Sequence, residues 1–430
     1  MKKKTIAVLL VLLILVPLFS GCLEEERVNH KPNVKISFPK NGDTVFKIVT
    51  ISGIATDSDG DKTIKHIEVQ LNGEWELADG TNLWSYTWRL YDVEDGVYTV
   101  SSRAWDGADY SEVEEVTVNV DNPDVFESGE HKWAVFIVAS NFPIENESKL
   151  GNGGLYLAEE MTTFFIEKLH YPTSNIFILF DDGWIRKDNG FGERMITLQE
   201  RYHKYDITYA GATRDDVTST LENVIDESNT FDDSEVFIWI SSHGCGDEDI
   251  VLTGGKILER SGIFLWDHII EDKDLGVILS NLRSKKTCVI VDACFSGGFA
   301  DKTIFNFPEF FLFRSDVPSR GRVVITGASK FRVGYASTEA GPLFTQLWYY
   351  GLKTGEADGF RPGLLHTGRP SMFEILQNGK VSVEEAFYYA RYVLKNDKNL
   401  RDYSTMEPQI NDQYPLRGPI VNSKGLILGE

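Results

Sequence analysis

Cysteine is scarce in this chain: four occur in 430 residues, at Cys22, Cys245, Cys288 and Cys294. So few exclude a disulfide framework as the source of the fold, and packing of apolar side chains must hold it. Basic residues are also short, 43 Lys and Arg against 65 Asp and Glu, for a formal net charge of −22. Such a balance repels phosphate backbones and anionic headgroups, which argues against nucleic acid as a partner and against electrostatic adsorption to lipid. No apolar run reaches the ~20 residues a spanning helix needs; the main one, residues 6–18, follows Lys2, Lys3 and Lys4. Internal repeats and long low-complexity stretches are missing too. What remains, 42% apolar and 25% charged residues, is globular composition with room for two or three domains.

Three lysines ahead of a short apolar run make the charged and apolar regions of a secretory signal. The run closes with Leu18-Phe19-Ser20-Gly21-Cys22, and Gly-Cys is similar to a lipoprotein processing site, with Phe19 standing where an aliphatic residue is usual. The expectation is a signal peptide over residues 1–22 ending in a lipidated Cys22, with an uncleaved signal anchor as the alternative. Either exports the remainder to the extracytoplasmic side and tethers it there, through the polar residues 23–31.

From residue 32 to 122 the pattern is all-β. Alternating segments at 34–38, 46–54, 66–71, 84–90, 98–104 and 113–120 are punctuated by Asn-Gly and Asp-Gly turns, as in a β-sandwich. The stretch from Asp95 to Val100, with Arg103-Ala104-Trp105-Asp106, resembles immunoglobulin-like modules of prokaryotic surface proteins. The expected role is spacer or adhesion element. Its acidic loop, residues 57–61, has the closely spaced carboxylates that suit calcium, but is too short for an EF-hand and reads first as a solvated turn.

A linker near residues 123–130 leads into a second domain over 131–430, where strands alternate with helical patterns. That is the signature of an α/β fold with a mostly parallel sheet. Strands are expected at 132–139, 175–180, 235–241, 287–291 and 322–326, helices near 151–169, 213–225, 272–282, 342–352 and 383–394, and an edge element after residue 407. Residues 181–209 are polar, show few strand or helix signals, and read as a surface excursion.

Two of those strands carry chemistry at their carboxyl ends, where open α/β sheets place it. One ends in Ser242-His243-Gly244, and the later one in Asp292-Ala293-Cys294, followed by Phe295-Ser296-Gly297-Gly298. Neighbouring strands would bring an imidazole and a thiol to one sheet edge. The thiolate is the nucleophilic form, and an isolated cysteine has a pKa of about 8.5, so a nearby base or proton donor is the natural complement.

The pairing of Ile240-Ser241-Ser242-His243-Gly244 with Val291-Asp292-Ala293-Cys294-Phe295-Ser296-Gly297-Gly298 resembles the caspase–legumain superfamily of cysteine peptidases, clan CD. Residues 133–141, ending in Ser140-Asn141, look like the first strand of legumain-type enzymes, and residues 209–225 look like their segment before the histidine strand. Gly341-Pro342-Leu343-Phe344-Thr345 is similar to a Gly-x-Phe-Thr element of the wider superfamily. The resemblance spans roughly residues 131–415. It implies a caspase-haemoglobinase-like fold and an endopeptidase working through a Cys294 acyl-thioester, with His243 as acid/base, or a transpeptidase whose acyl-enzyme is captured by an amine.

It further implies that the N–H groups of Gly244 and Cys294 would bind the oxyanion and that Asn141 would orient the imidazole through its side-chain carbonyl. Where caspases have Gln and legumains Glu, this chain has Asp292, which in metacaspase-like and clostripain-like members goes with cleavage after Arg or Lys. The legumain-like first strand leans towards Asn instead. By position, the loop of residues 329–337 lines the cleft, with Ser329 and Tyr335 as substrate contacts. No cofactor is implied, and the expected partner is a peptide or protein substrate.

The bland readings stand beside these. Cys288 lies inside its strand as a packing residue. His243 and Cys245 with Asp247, Glu248 and Asp249 fit no zinc spacing, so no metal is expected. Asn146-Glu147-Ser148 is a glycosylation sequon, and the phenylalanines of residues 305–313 form a lid or core cluster. A surface binding protein with an inactive peptidase domain is the competing reading.

Overall fold

A computed structural model describes residues 28–71, 73–124, 130–142, 149–246, 261–300, 317–360, 377–415 and 425–430. Cys22, the sequon, Asp247 to Asp249 and the phenylalanines at 305–313 lie outside these residues. No helix among the described residues is long and apolar enough to cross a membrane.

The first domain is a sandwich of two sheets. Asn33–Phe38, Ile48–Thr56, Leu83–Arg89 and Asp79–Gly80 form one; Thr44–Val45, Glu114–Val120, Gly96–Trp105, His66–Gln70 and Trp75–Leu77 form the other. Alternation fills the space between them with Val34, Ile36, Val49, Ile51, Trp84, Val100 and Val118. The acidic loop closes on itself: Asp57 accepts from Asp59 N–H at 2.8 Å and from the Thr63 hydroxyl at 2.5 Å. Among the described residues no group of three His, Cys, Asp or Glu is placed to hold a metal.

The second domain is built on a seven-stranded sheet. In chain order its strands are β1 (Lys132–Val138), β2 (Ile176–Phe180), β3 (Thr208–Ala210), β4 (Glu235–Ser241), β5 (Lys286–Asp292), β6 (Arg322–Thr326) and β7 (Gln409–Asp412). They lie side by side as β3-β2-β1-β4-β5-β6-β7, all parallel except the last pair. The central strands are apolar almost throughout because both faces are covered. Helices α1 (Gly153–Leu169), α4 (Leu343–Thr354) and α5 (Val383–Asn396) pack on one face, around Phe136, Phe165, Phe237 and Trp348. Helices α2 (Arg214–Ser228) and α3 (Asp272–Leu279) cover the other, around Val135, Ile238, Val289 and Leu275. Thr213 caps α2 by accepting from the Asp216 N–H. The strand order reverses between β1 and β4, the switch point where such sheets hold their ligands.

The excursion expected at residues 181–209 is not a free surface loop. It forms a hairpin, Trp184–Arg186 with Arg194–Thr197, followed by the edge strand β3, and it docks on the sandwich. Gln199 accepts from the Thr50 N–H, Glu200 accepts from the Ser52 hydroxyl at 2.9 Å, and Trp184 donates its indole N–H to Ser85 Oγ at 2.9 Å. Helix α2 contributes as well: Arg89 donates to Asp216 at 2.6 Å, and Tyr91 and Thr220 share a 2.9 Å hydrogen bond. Ile48 belongs to the core on the α2 side of the seven-stranded sheet. A spacer would make few such contacts; this module is packed on its neighbour through buried polar groups. A cleft of about 380 Å3 at the junction, lined by Phe38, Val45, Arg201, His203 and Tyr209, contains none of the residues singled out from the sequence for catalysis.

Candidate active site

Strand register brings the two reactive side chains level. In the parallel β4–β5 pair Ser241 stands opposite Asp292, and His243 and Cys294 each lie two residues further on. Contact follows at once: a Cβ built on Gly244 would sit 1.9 Å from the Cys294 carbonyl oxygen and 3.0 Å from Ala293 Cβ. Only glycine allows the two strand ends to approach so closely. Both Cys294 and His243 are half-buried. The imidazole rests against two rings, Phe142 at 5.5 Å and Phe264 at 6.5 Å between centroids, and its backbone carbonyl accepts from Phe264 N–H at 3.0 Å.

The turn after Cys294 is held in an unusual conformation. Phe295 has φ 56°, the left-handed region, where a bulky residue persists only if its surroundings impose it. They do so from two sides: Phe295 N–H donates to Arg332 at 2.8 Å, and Ser261 Oγ donates to the Phe295 carbonyl at 2.5 Å while accepting from Gly298 N–H at 2.9 Å. Gly297 lets the chain pass beside the loop after β6, since a Cβ there would meet Lys330 N at 2.3 Å.

That loop reaches the thiol through a residue the sequence reading did not single out. Gly334 N–H lies 3.3 Å from Cys294 Sγ, and the thiol in turn faces the Gly334 carbonyl at 3.6 Å. One glycine in a polar loop carries no sequence signal of this kind, and neither does Ser261. The two loop residues that were singled out point elsewhere. Ser329 is buried, with its N–H on Met406 O at 2.8 Å and its hydroxyl facing Glu407 at 3.4 Å. Tyr335 packs edge-on against Tyr403 at 4.9 Å. Both tie the loop to the segment Lys398–Met406 and its cap Glu407.

Asp292 is 3% exposed, at the end of β5. Its Oδ2 accepts from Thr345 N–H at 2.9 Å and from the Thr345 hydroxyl at 2.7 Å. Thr345 is in the first turn of α4, whose cap position is Pro342 with no capping side chain, so the carboxylate satisfies a buried amide that has no partner within the helix. This gives the Thr of Gly-Pro-Leu-Phe-Thr its role. The other oxygen faces Gly327, where a Cβ would come within 1.9 Å of Oδ1. Burial pushes the Asp292 carboxyl up to about 6, against the opposing pull of the Thr345 bonds.

Asn141 stands at the right edge, three residues past β1, yet its side chain does not act as expected. Its amide N–H donates to Asp181 Oδ2 at 2.7 Å, and its carbonyl oxygen is buried without a hydrogen-bond partner. A carbonyl so placed does not orient the imidazole; the acid at the end of β2 has claimed the side chain instead. Burial pushes Asp181 up to about 6, opposed by the Ser140 N–H, Arg186 and Asn141. Cys288 is wholly buried, and burial raises its thiol far above the ordinary range, which makes it inert.

Comparison with known proteins agrees with this geometry. Family profiles match the chain twice, a bacterial Ig domain over residues 32–101 and a caspase domain over residues 131–345, half of the chain. Among solved structures, caspase-1 from Spodoptera frugiperda is similar at 11% identity and TM-score 0.35, over 66% of this chain and 87% of that one. The fibronectin(III)-like modules of Clostridium thermocellum CbhA are similar at 25% identity and TM-score 0.19, over 22% of this chain and 48% of that one. An endo-beta-1,4-mannanase from Thermotoga petrophila is similar at 13% identity and TM-score 0.20, over 23% of this chain and 21% of that one. A search of curated proteins finds no match. An imidazole and a thiol on adjacent strand ends of a doubly wound sheet, within a caspase profile, make the chain a member of the caspase-like clan CD family of cysteine peptidases, with an immunoglobulin-like domain ahead of its peptidase domain.

Proposed function

We propose that the protein is an active cysteine endopeptidase that cleaves after Arg or Lys, exported and tethered by its N-terminus. The contact of Gly244 with the Cys294 carbonyl carries the reading, because it sets imidazole-bearing and thiol-bearing strand ends side by side. Cys294 attacks the peptide carbonyl to give a thioester, and His243 hands a proton to the leaving amine. The N–H groups of Gly244 and Cys294 receive the oxyanion, and water attacks the thioester to release the acid. Asp292 is carried over from the metacaspase-like and clostripain-like resemblance as the group favouring a cation before the scissile bond; Thr345 already holds its Oδ2, so a substrate cation would have to reach Oδ1. The charged and apolar start of the chain supports export, with Cys22 as the lipidated residue.

The test is a fluorogenic peptide panel varying only the residue before the scissile bond, with Cys294→Ala as control. Turnover after Arg or Lys that disappears in the control supports the peptidase and its specificity. Turnover after Asn keeps the peptidase, places it on the legumain side, and leaves Asp292 as the cap of α4. Silence from folded protein moves the weight to a binding protein with an inactive domain, and capture of the thioester by an added amine would indicate transpeptidation. Membrane-fraction mass spectrometry of the wild type and of Cys22→Ser tests the tether: lipid is expected on Cys22 and absent from the variant.

A pH dependence follows from Asp292. Below about 6 its carboxyl is protonated and offers no charge to a cation; above, it is ionised. The ratio of kcat/KM for an Arg substrate to that for its neutral citrulline analogue is therefore expected to rise between pH 5 and 7, by roughly tenfold for a charge pair worth about 1.4 kcal/mol. Taking the ratio cancels the titration of the catalytic groups. In Asp292→Asn the ratio should stay flat; a rise that survives there would remove Asp292 from the pocket.

A further inference from the structure

Asp181 is completely buried at the carboxyl end of β2 and has φ 42°, again left-handed. The hydrogen bonds to its carboxylate all run to the turn that leaves β1. Oδ1 accepts from Ser140 N–H at 2.6 Å and Asn141 N–H at 3.2 Å, and Oδ2 accepts from Asn141 Nδ2 at 2.7 Å. Its own N–H donates to the Val138 carbonyl at 3.0 Å, while its carbonyl accepts from Ala212 at 2.7 Å. A carboxylate with three N–H donors on two successive residues fixes the direction of that turn.

The next residue of the turn is Phe142, whose ring lies 5.5 Å from the imidazole of His243 and 5.6 Å from Phe264. The Phe142 side of the aromatic wall thus follows the turn that Asp181 holds. On its outer side Asp181 faces Arg186 at 3.9 Å. Arg186 forks onto Asp182 at 2.8 and 2.7 Å and lies over the Trp266 ring at 4.6 Å. Asp182 also takes Arg194 at 2.6 Å, and Arg194 reaches Asp79 of the immunoglobulin-like module at 2.5 Å. Half of the wall behind the imidazole is therefore anchored, through alternating charges, to the other domain.

We propose that Asp181 is a positioning residue of the peptidase, which clamps the turn carrying Asn141 and Phe142 so that the imidazole of His243 is held towards Cys294. The chain of Arg186, Asp182, Arg194 and Asp79 makes the docked module part of that support. The inference rests on the peptidase reading given above. Asp181 touches no reacting atom and acts through Phe142.

The test uses the full chain with Asp181→Asn, which is isosteric but leaves one acceptor oxygen where the carboxylate offered two. Its kcat is expected to fall about 10- to 100-fold with KM within threefold, because no substrate contact is lost. The exchange variant, Asp181→Asn with Asn141→Asp, restores an acid–amide pair in reverse and should recover most of the kcat; a merely structural role predicts two additive losses instead. A second readout is the pH dependence of Cys294 alkylation by iodoacetamide, which needs no turnover. A displaced imidazole is expected to change the rate of that alkylation and its pH profile. If the wild type cleaves no peptide, the peptidase reading falls while alkylation still decides this one. Unchanged kcat, or an unchanged alkylation profile where turnover is absent, in folded Asp181→Asn overturns the proposal. If Asp181→Asn does not fold, the exchange variant decides alone: near wild-type kcat or alkylation supports the clamp, and failure to recover either one overturns it.

Discussion

Gly244→Ala is expected to lose about 10³-fold in kcat/KM while the protein remains folded. The added methyl carbon has nowhere to go: the Cys294 carbonyl oxygen is 1.9 Å from its position, the carbonyl carbon 2.9 Å, and Ala293 Cβ 3.0 Å. Two of these are backbone atoms in the turn leaving β5, so no side chain can rotate away. The ends of β4 and β5 must separate instead, by about an ångström or more to reach ordinary contact. A shift of that size displaces the thiol, the imidazole and the two N–H groups proposed for the oxyanion together. Misplacement by an ångström costs about 10²-fold, and loss of one oxyanion donor costs 10²–10³-fold. These losses overlap, because they come from one movement, so their product is an upper bound.

Overpacking of this kind costs about 1–3 kcal/mol of stability, which a domain with two large cores can absorb. The measurement is kcat/KM on the best peptide of the panel, beside a denaturant melt. Activity within threefold of wild type would show that the strand ends yield without harm, and would remove Gly244 from the catalytic arrangement. A complete loss of folding would leave the question to titration of Cys294 by a thiol reagent in a partly stabilising buffer. There, slowed alkylation at neutral pH is the expected result.

The sheet was legible because its central strands are buried on both faces. Lys132–Val138, Glu235–Ser241 and Lys286–Asp292 are apolar runs bounded by turn residues, and a run of that length has few other structures open to it. The reactive ends were legible for the same reason, since a chain leaving such a strand must emerge at the edge where ligands bind. The docking of the two domains was not. Its contacts are made by Gln199, Glu200, Arg194 and Asp182, polar residues that give no periodic signal and look the same in a solvated loop. Asn141 shows a different limit. Its place at the end of β1 follows from sequence, but its partner depends on which neighbouring strand offers the stronger acceptor. Asp181, arriving from β2, reads in the sequence only as the first residue of a polar surface excursion. Gly334 had no signal at all, because a glycine that meets a thiol across the fold is indistinguishable from one that merely bends the chain.

Glu227→Gln is expected to destabilise the protein by about 3–5 kcal/mol, the range found when one member of a buried ion pair is removed. The pair joins the domains. Lys47 of the module is 3% exposed, and its Nζ donates to both oxygens of Glu227 in α2 at 2.9 and 3.0 Å. Trp133 Nε1 of β1 donates to the same carboxylate at 2.8 Å. Burial lowers the pKa of Lys47, and the attraction and hydrogen bonds of Glu227 oppose that shift. Without the carboxylate, the ammonium faces only the amide oxygen and the Phe177 ring 5.1 Å away. The pH dependence has a definite sign. A lysine whose folded pKa lies below its unfolded value binds more protons when unfolded, so stability rises with pH between the two values. Glu227→Gln depresses the folded value further, and its deficit relative to wild type should shrink between pH 7 and pH 10. Urea melts followed by tryptophan fluorescence at both ends of that range make the measurement. The wild type should unfold in one transition, because Ile48 of the module lies in the core of the peptidase domain. The variant should show the module parting first, as an early second transition. A deficit below 1 kcal/mol, unchanged with pH, would mean that water reaches Lys47 and that the two domains are joined less tightly than the buried pair implies.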